Sequence, residues 1–241
     1  DAVETLAITD KTGRSNQAKD VGKEMERVRN AVSKCDENGP LVLFIAKMVA
    51  VPMSHINLGA ADADQLGLAN QSDAKNTNVF IGFGRVFSGT LTGASELSST
   101  NVYVLGPKYD PHATDYASLE DDACPLHHAE VLNSSALLPF SMMGGEYHLL
   151  KSARAGNILA VLGLGKHVLK TATVTSSKFC RSFAPLPKQA EPILTVAVEP
   201  TSPSREQVDA LRKGLALLNQ ADACVDVVLK ESGETLIAAL G

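Results

Sequence analysis

The sequence predicts a mainly β protein, in which a closed β-barrel or a β-sandwich precedes a smaller α+β unit. Six or more short apolar runs between residues 40 and 178 are separated by glycine, proline and asparagine turns, a spacing typical of barrels and sandwiches. After residue 191 the pattern changes to strand, helix, strand, strand, which is the first part of a βαββαβ sandwich. A chain of 241 residues is long enough for two domains of this kind.

The first element is a helix, and residues 1–38 are interpreted as an N-terminal tail with a linking helix. Val21, Met25, Val28 and Val32 are spaced by four, three and four residues, which places them on one helical face. The helix is expected to end before ENGP. Because the apolar stripe is narrow, a surface or linking helix is favoured over a helix that binds a partner.

Residues 39–178 are predicted to form the barrel. The run PLVLFIAKMVAV opens it, and the later strands are carried by the segments NVFIGFGRVFSGTLTG, STNVYVLG, AEVLNSSALLPFSMM, EYHLL, NILAVLGL and TATVTSS. Residues 53–77 and 110–125 have no sustained period and are interpreted as inserted loops. His127 and His128 follow the second loop, and adjacent histidines point to opposite sides of a strand, so a shared metal is not expected.

Residues 179–191 contain two prolines and are interpreted as a linker, after which 192–241 begin the α+β unit. Ser204 and Gln207 form a capping box ahead of an apolar helical face. The segments CVDVVLK and TLIAAL are expected to form a hairpin with Gly233 in the left-handed conformation. Three strands and one helix leave an open sheet edge, and the natural chain is therefore expected to continue past Gly241.

Several motifs occur in the order and spacing of domains II and III of the elongation factor 2 and elongation factor G family. They are FGRVFSG, VYVLGPKYDP, MMGGEYHLLKSARAGNILAVLGL with KTATVTSS, and the segment from EPILTVAVEP to the end. Within that family the stretches LLNQADACV and RNAVSKCDENGPLV resemble the elongation-factor-like GTPases of large-ribosomal-subunit maturation. An insertion at 53–77 supports this, because elongation factor 2 usually has a much shorter connection there.

The resemblance implies a translation-factor type β-barrel, domain II, followed by a partial ferredoxin-like domain III. It implies a cytoplasmic protein whose GTP and Mg²⁺ are held by a G domain outside this chain. The implied partners are the large ribosomal subunit, the protein's own G and later domains, and the Shwachman-Bodian-Diamond syndrome protein. The alternatives are elongation factor 2 itself, the related spliceosomal GTPase, and a free-standing β-barrel binding module.

No catalytic, cofactor-binding or metal-binding residue is predicted in this chain. Leu162–His167 (LGLGKH) lacks the first glycine and the hydroxyl of a phosphate-binding loop and is interpreted as a turn between strands. Asn219–Asp222 (NQAD) is interpreted as a helix stop rather than a guanine-reading motif. The acidic run at 120–122 is expected to be solvated, and no G-x-S-x-G elbow is present.

Arg85 and Lys108 are the two candidate contact residues, for the ribosome or for another domain. Arg85 lies in FGRVFSGTLTG and is expected near the start of a strand. A structural role is favoured, with its stem packed on Phe87 or a neighbouring strand and its head paired locally, over a contact with ribosomal RNA or another domain. The net charge of −5 gives no general attraction to phosphate. Autonomous nucleic-acid binding is therefore not expected, and any such contact would depend on a local patch.

Composition also limits the class of protein. The sequence is 44% hydrophobic and 20% charged, as in ordinary globular proteins. Its first residues lack the basic region and apolar core that would predict a signal peptide, and no apolar run is long enough to span a membrane. Its four cysteines form no C-x-x-C pair. A reducing compartment therefore fits better than a disulfide scaffold or a zinc site.

Overall fold

The structure is a computed structural model, and it describes residues 11–57, 78–93, 100–107, 129–185, 192–200, 204–230 and 233–240. These residues are mainly β, as the sequence predicts. The helices are α1 Lys11–Lys34 and α2 Arg205–Ala221. The strands are β1 Val42–Pro52, β2 Ile56–Asn57, β3 Asn78–Ser88, β4 Thr90–Thr92, β5 Asn101–Leu105, β6 Ala129–Asn133, β7 Leu138–Met143, β8 Glu146–Leu149, β9 Ser152–Arg154, β10 Ile158–Leu162, β11 Ala172–Thr175, β12 Leu194–Val198, β13 Asp226–Leu229 and β14 Thr235–Ala239.

Most strands up to β11 belong to one large sheet. Its order is β2-β8-β7-β10-β3-β1-β11-β5-β6, and its pairings are antiparallel except for the parallel pair β2 and β8. Strands β4 and β9 form a separate antiparallel pair. Because β2 and β6 stand at the two edges of the sheet order, the translation-factor type of barrel remains a prediction. We call the described part of residues 40–185 the large-sheet unit.

A β-bulge in β1 sets which side chains face the interior. Ile45 pairs with Gly84 and Lys47 pairs with Phe83, so one extra residue lies on β1 between them. An extra residue reverses the alternation of side chains along a strand. Ile45 before the bulge and Met48 after it therefore both enter the inner core, whereas Lys47 is exposed on the outer face.

The inner face of the large sheet carries the main hydrophobic core. Buried side chains from β1, β3, β5, β10 and β11 meet there with Leu91, Ala153 and Leu164. The outer face carries two smaller clusters. One is centred on Ile81 and Phe140, and the other on Val42 and Leu105. A sheet apolar on both faces needs cover on both, and α1 supplies part of it.

Helix α1 begins six residues before the predicted start at 17 and covers the second outer cluster. Val28 is buried there, with the predicted stripe residue Val32 packed beside it. Cys35 follows the helix at a φ of 51°, and Asp36 N donates to Ala31 O at 3.0 Å. This is a helix end of the Schellman type, and it lies where the sequence predicts one.

Residues 192–240 form an α/β unit whose three-stranded sheet has the order β12-β14-β13. Ser204 Oγ accepts a hydrogen bond from Gln207 N at 3.4 Å, which confirms the predicted helix start. Gly233 has a φ of 85° between the paired strands β13 and β14, which confirms the predicted hairpin. The assignment of this unit to the ferredoxin-like class remains a prediction.

Two predicted segments also differ from the structure. The segment AEVLNSSALLPFSMM is not one strand, because a 3₁₀ turn at Ser134–Ala136 separates β6 from β7, and Asn133 Oδ1 holds that turn by accepting from Ser135 N at 3.1 Å. The insertion at 53–77 is not wholly irregular, because Met53–His55 form a 3₁₀ turn that leads into β2. Residues 58–77 and the insertion at 110–125 lie outside the described residues.

Candidate contact surface on the outer face of the large sheet

Arg85 lies on the outer face of β3, in the second half of the strand rather than near its start. Alternation along β3 places Val86 in the inner core and turns Arg85 outward, where it is exposed. Its cross-strand neighbours are Phe44 on β1 and Ile158 on β10. The expectation of an early strand position is wrong because β3 begins at Asn78, well before the motif FGRVFSG.

The side chain of Arg85 packs on Phe87, as the sequence predicts, but the expected local pairing of its head is not found among the described residues. Its Cζ is 5.3 Å from the ring centroid of Phe87. Lys47 repeats the arrangement on the neighbouring strand, with Nζ 6.0 Å from the centroid of Phe83. The ring supports the stem of each cation while its charged head stays exposed to solvent. Arg85 has no ion pair within the described residues, so its charge is available to a partner.

The ring under Arg85 is fixed by further aromatic packing. Phe87 stacks on Phe183 with 4.8 Å between centroids, and Phe183 also contacts Phe44 at 5.6 Å. Phe183 is itself held in place because its backbone N–H donates to Thr173 Oγ1 at 2.8 Å. A packed base of three phenylalanines therefore limits the positions that Arg85 can take.

The described strands and turns of the large-sheet unit carry more basic than acidic side chains. Its described residues contain two acidic side chains, Glu130 and Glu146, and eight basic ones, which are Lys47, Arg85, Lys151, Arg154, Lys166, Lys170, Lys178 and Arg181. Over the whole of residues 40–185 the sequence has ten basic and eleven acidic side chains, so the excess belongs to the described strands and turns alone. A charge count restricted to the predicted strands is the sequence signal that finds it.

Some of these cations are already neutralised within the molecule. Arg154 pairs with Glu37 at 3.4 Å, and Lys170 pairs with Asp226 at 2.7 Å. Arg85 and Lys47 instead lie over rings on the outer face, on adjacent strands. We call these two cations with Phe83 and Phe87 the basic–aromatic surface. An exposed cation beside an aromatic ring suits an anionic partner, such as an RNA backbone.

The other predicted contact residue, Lys108, lies outside the described residues. The same is true of His127, His128 and the acidic run at 120–122. In the part of the chain that the structure describes, no three His, Cys, Asp or Glu side chains are grouped closely enough to hold a metal ion. No helix among the described residues is long and apolar enough to cross a membrane.

The LGLGKH segment is a turn between β10 and β11, as the sequence predicts, and it does not fit a nucleotide phosphate. Leu164 is fully buried in the inner core, and the backbone N–H groups of His167 and Val168 both donate to Leu164 O at 3.0 Å. A phosphate site needs such N–H groups free at the start of a helix. The NQAD segment likewise ends α2, with Asp222 as its C-cap.

Comparison with known proteins gives the family. Ribosome assembly protein 1 of Schizosaccharomyces pombe is 33% identical over 219 residues, which cover 91% of this chain. Elongation factor-like GTPase 1 of Mus musculus is 37% identical over 175 residues, or 70% of the chain. The human protein of that name is 36% identical over the same length. The chain belongs to the elongation factor-like GTPase family.

The matched region is a small part of each of these relatives. The chain spans 19% of the length of the Schizosaccharomyces pombe relative and 15% of the mouse relative. No protein-family model matches the chain. The resemblance stated from the motifs is thus confirmed at the level of the family.

Proposed function

We propose that this chain is a non-catalytic part, domain II with the start of domain III, of a translation-factor-type GTPase. The whole protein would act in cytoplasmic maturation of the large ribosomal subunit and would help to release the anti-association factor. The observation that carries this proposal is the 33% identity to ribosome assembly protein 1 over 91% of the chain. The names of the relatives favour this role over translocation by elongation factor 2.

In this proposal the GTP and Mg²⁺ belong to a G domain elsewhere in the full-length protein. The absence of a G-x-x-x-x-G-K-[ST] motif from the sequence supports that division of labour. The large ribosomal subunit, the protein's own G domain and the Shwachman-Bodian-Diamond syndrome protein are the proposed partners. Titration of the chain with labelled GTP is expected to show no saturable binding, and a micromolar affinity would contradict the assignment.

The basic–aromatic surface is the proposed point of contact with ribosomal RNA. Arg85 and Lys47 are exposed and lie over the rings of Phe87 and Phe83 on adjacent strands. Contact with phosphate would release counterions, so binding should weaken steeply as salt rises. An interdomain contact is the competing role for Arg85, and it would not depend on RNA.

Sedimentation of the chain with purified large subunits tests this surface. The double variant Arg85→Ala/Lys47→Ala should weaken binding and lower the slope of log K against log salt by about two, roughly one unit for each cation that no longer neutralises a phosphate. Arg205→Ala/Lys213→Ala is the matched control, because it removes the same charge from exposed positions on α2. Equal weakening in both double variants would mean that binding reflects net charge alone. Unchanged binding in the first would rule out the surface.

A further inference from the structure

A groove of about 660 Å³ lies between helix α1 and the segment that follows β11. One wall is a face of α1 on which Gly22, Met25, Arg29 and Val32 follow one another at steps of three and four residues. The other wall is formed by residues of the segment 179–183. The volume is within the range of about 300–1,000 Å³ that is typical of sites for small ligands.

The bottom of the groove is apolar. Three buried side chains, those of Val28, Val42 and Cys180, line it and belong to one cluster on the outer face of the large sheet. Phe183 also lines the groove, and its ring stacks on Phe87 with 4.8 Å between centroids. Because these side chains are already held by their own packing, an apolar ligand could be buried on them without a large rearrangement.

Two arginines line the groove, one on each wall. Arg29 lies on α1 and Arg181 on the opposite segment, and both are exposed. Arg29 has no ion pair within the described residues. Glu26, one turn earlier on α1, also lines the groove, so the lining has an excess of one positive charge. An apolar bottom with guanidinium groups above it suits a ligand that combines an apolar body with an anionic group.

We propose that this groove is a binding site for a small organic anion, such as an aromatic sulfonate or carboxylate. The apolar body would lie against Val28 and Val42, and the anionic group would face Arg29 and Arg181. A second copy of the chain fits less well, because stable protein interfaces bury about 800 Å² on each partner and the adjoining surface of α1 is polar. The proposal depends on the groove alone and not on the proposed ribosomal role.

Two probes with the same rings but different charge test the site. Anilinonaphthalene sulfonate is an anion, and phenylnaphthylamine is neutral. Each is titrated into the ¹⁵N-labelled 241-residue chain, and binding is followed at the amides of residues 28–33 and 179–183. The sulfonate should shift these amide signals in a saturable manner and bind more tightly than the amine. Individual amides separate the groove from exposed apolar side chains elsewhere, such as Ile193 and Leu229.

Variants of the charged residues test the preference for an anion. Arg29→Gln should weaken binding of the sulfonate by about two- to fivefold, and Glu26→Gln should strengthen it by a similar factor, because each removes one solvent-exposed charge beside the ligand. Neither variant should change the affinity for the amine. Arg27→Gln is the matched control. It removes an exposed charge from the same helix, outside the groove lining, and should leave both affinities unchanged.

A variant that fills the groove tests its position. A Cβ at Gly22 would meet nothing within 4 Å, so Gly22→Phe adds a ring at the end of the groove without displacing a neighbour, and the loss of a helical glycine is not destabilising. The groove amides should then respond to neither probe. Gly214→Phe is the control, because a Cβ there also meets nothing within 4 Å and the residue lies on α2. If Gly22→Phe loses the amide dispersion of the folded chain, Gly22→Leu takes its place with the same expectation.

Four results would overturn the proposal. The first is the absence of saturable shifts at the groove amides with the sulfonate. The second is equal affinity of the wild-type chain for the two probes, which would mean that the groove does not select an anion. The third is unchanged binding in the folded Gly22 variant. The fourth is a set of groove amides whose signals shift with protein concentration when no probe is present, which would mean that a second copy occupies the groove.

Discussion

The guanidinium carbon of Arg85 lies 5.3 Å from the ring centroid of Phe87, two residues along the same outer face of β3. The ring supports the side chain without neutralising it, since a ring carries no net charge. An ion pair at this position would instead have neutralised the charge of Arg85 within the molecule. The arrangement therefore suits a residue whose charge is used outside its own unit.

Replacement of Arg85 should have little effect on stability. We expect Arg85→Ala to lower the free energy of unfolding by no more than about 1 kcal/mol, because a cation over a ring at an exposed site contributes roughly 0.5–1 kcal/mol. Urea denaturation followed by circular dichroism measures this. A decrease of several kcal/mol would show that Arg85 is part of the structural framework and would weaken its assignment as a contact residue.

Phe183 should contribute more to stability than Arg85 does. Its ring packs on both Phe87 and Phe44, and Phe183→Ala removes both interactions. We expect a decrease in the free energy of unfolding of about 2 kcal/mol, below the value for a fully buried phenylalanine because Phe183 is partly exposed.

Ile158→Ala is the control for Phe183→Ala. That side chain is 60% exposed, and its truncation should change stability by no more than about 0.5 kcal/mol. Comparable effects of the two variants in urea denaturation would contradict the packing role of Phe183.

Two glycines should respond to alanine in opposite directions. A Cβ at Gly84 would overlap the carbonyl oxygen of Phe44 on the paired strand β1, so Gly84→Ala must displace the backbone beside the bulge. At Gly214, in the exposed part of α2, a Cβ would meet nothing within 4 Å, and Gly214→Ala should stabilise the helix by about 1 kcal/mol. Thermal unfolding should show a lower midpoint for the first variant and a higher one for the second. A higher midpoint for both variants would mean that the backbone of β3 can shift at Gly84 to make room for the added methyl group.

The strands and the caps were predictable because they depend on local sequence. Apolar runs, the Ser204 cap and Gly233 each act within a few residues, and local chemistry decides them. The bulge in β1 was not predicted, since PLVLFIAKMVAV is apolar on both sides of Lys47 and gives no alternation to interrupt. The bulge becomes visible only when β3 is paired with β1, and it is what turns Lys47 toward the outer face.

The candidate site was predicted in part. Arg85 and its contact with Phe87 follow from alternation along one strand. Lys47 was missed because it lies on another strand and its orientation depends on the bulge. The hydrogen bonds of Gln220 were missed for a similar reason. The stretch LLNQADACV is predicted to end a helix, and it does. The carbonyl groups that accept from the Gln220 amide, those of Gly165 and Val168, lie more than 50 residues earlier in the chain.

The thiol of Cys180 should make stability fall at alkaline pH. Burial raises its pKa from 9.0 to about 11, against a smaller opposing effect of a hydrogen bond with Thr175. Below pH 9 the thiol is neutral in both states, so its contribution is constant. Between pH 9 and 11 it ionises in the unfolded chain but stays neutral in the folded one. The free energy of unfolding should therefore fall by up to about 2 kcal/mol across this window.

Cys180→Ala separates this effect from the titration of lysines and tyrosines, which is common to both proteins. The variant should be less stable at pH 7 because it leaves a small cavity, yet its stability should fall less between pH 9 and 11 than that of the wild type. Cys224→Ala is the control. That thiol is exposed, so this variant shows the effect of removing a cysteine outside the core. Urea midpoints at pH 8, 9, 10 and 11 give the comparison.

Parallel plots of the midpoint against pH for Cys180→Ala and the wild type would contradict this prediction. They would mean that the buried thiol ionises as readily as one in water. The cluster formed by Val28, Val42 and Leu105 would then not exclude solvent from the thiol.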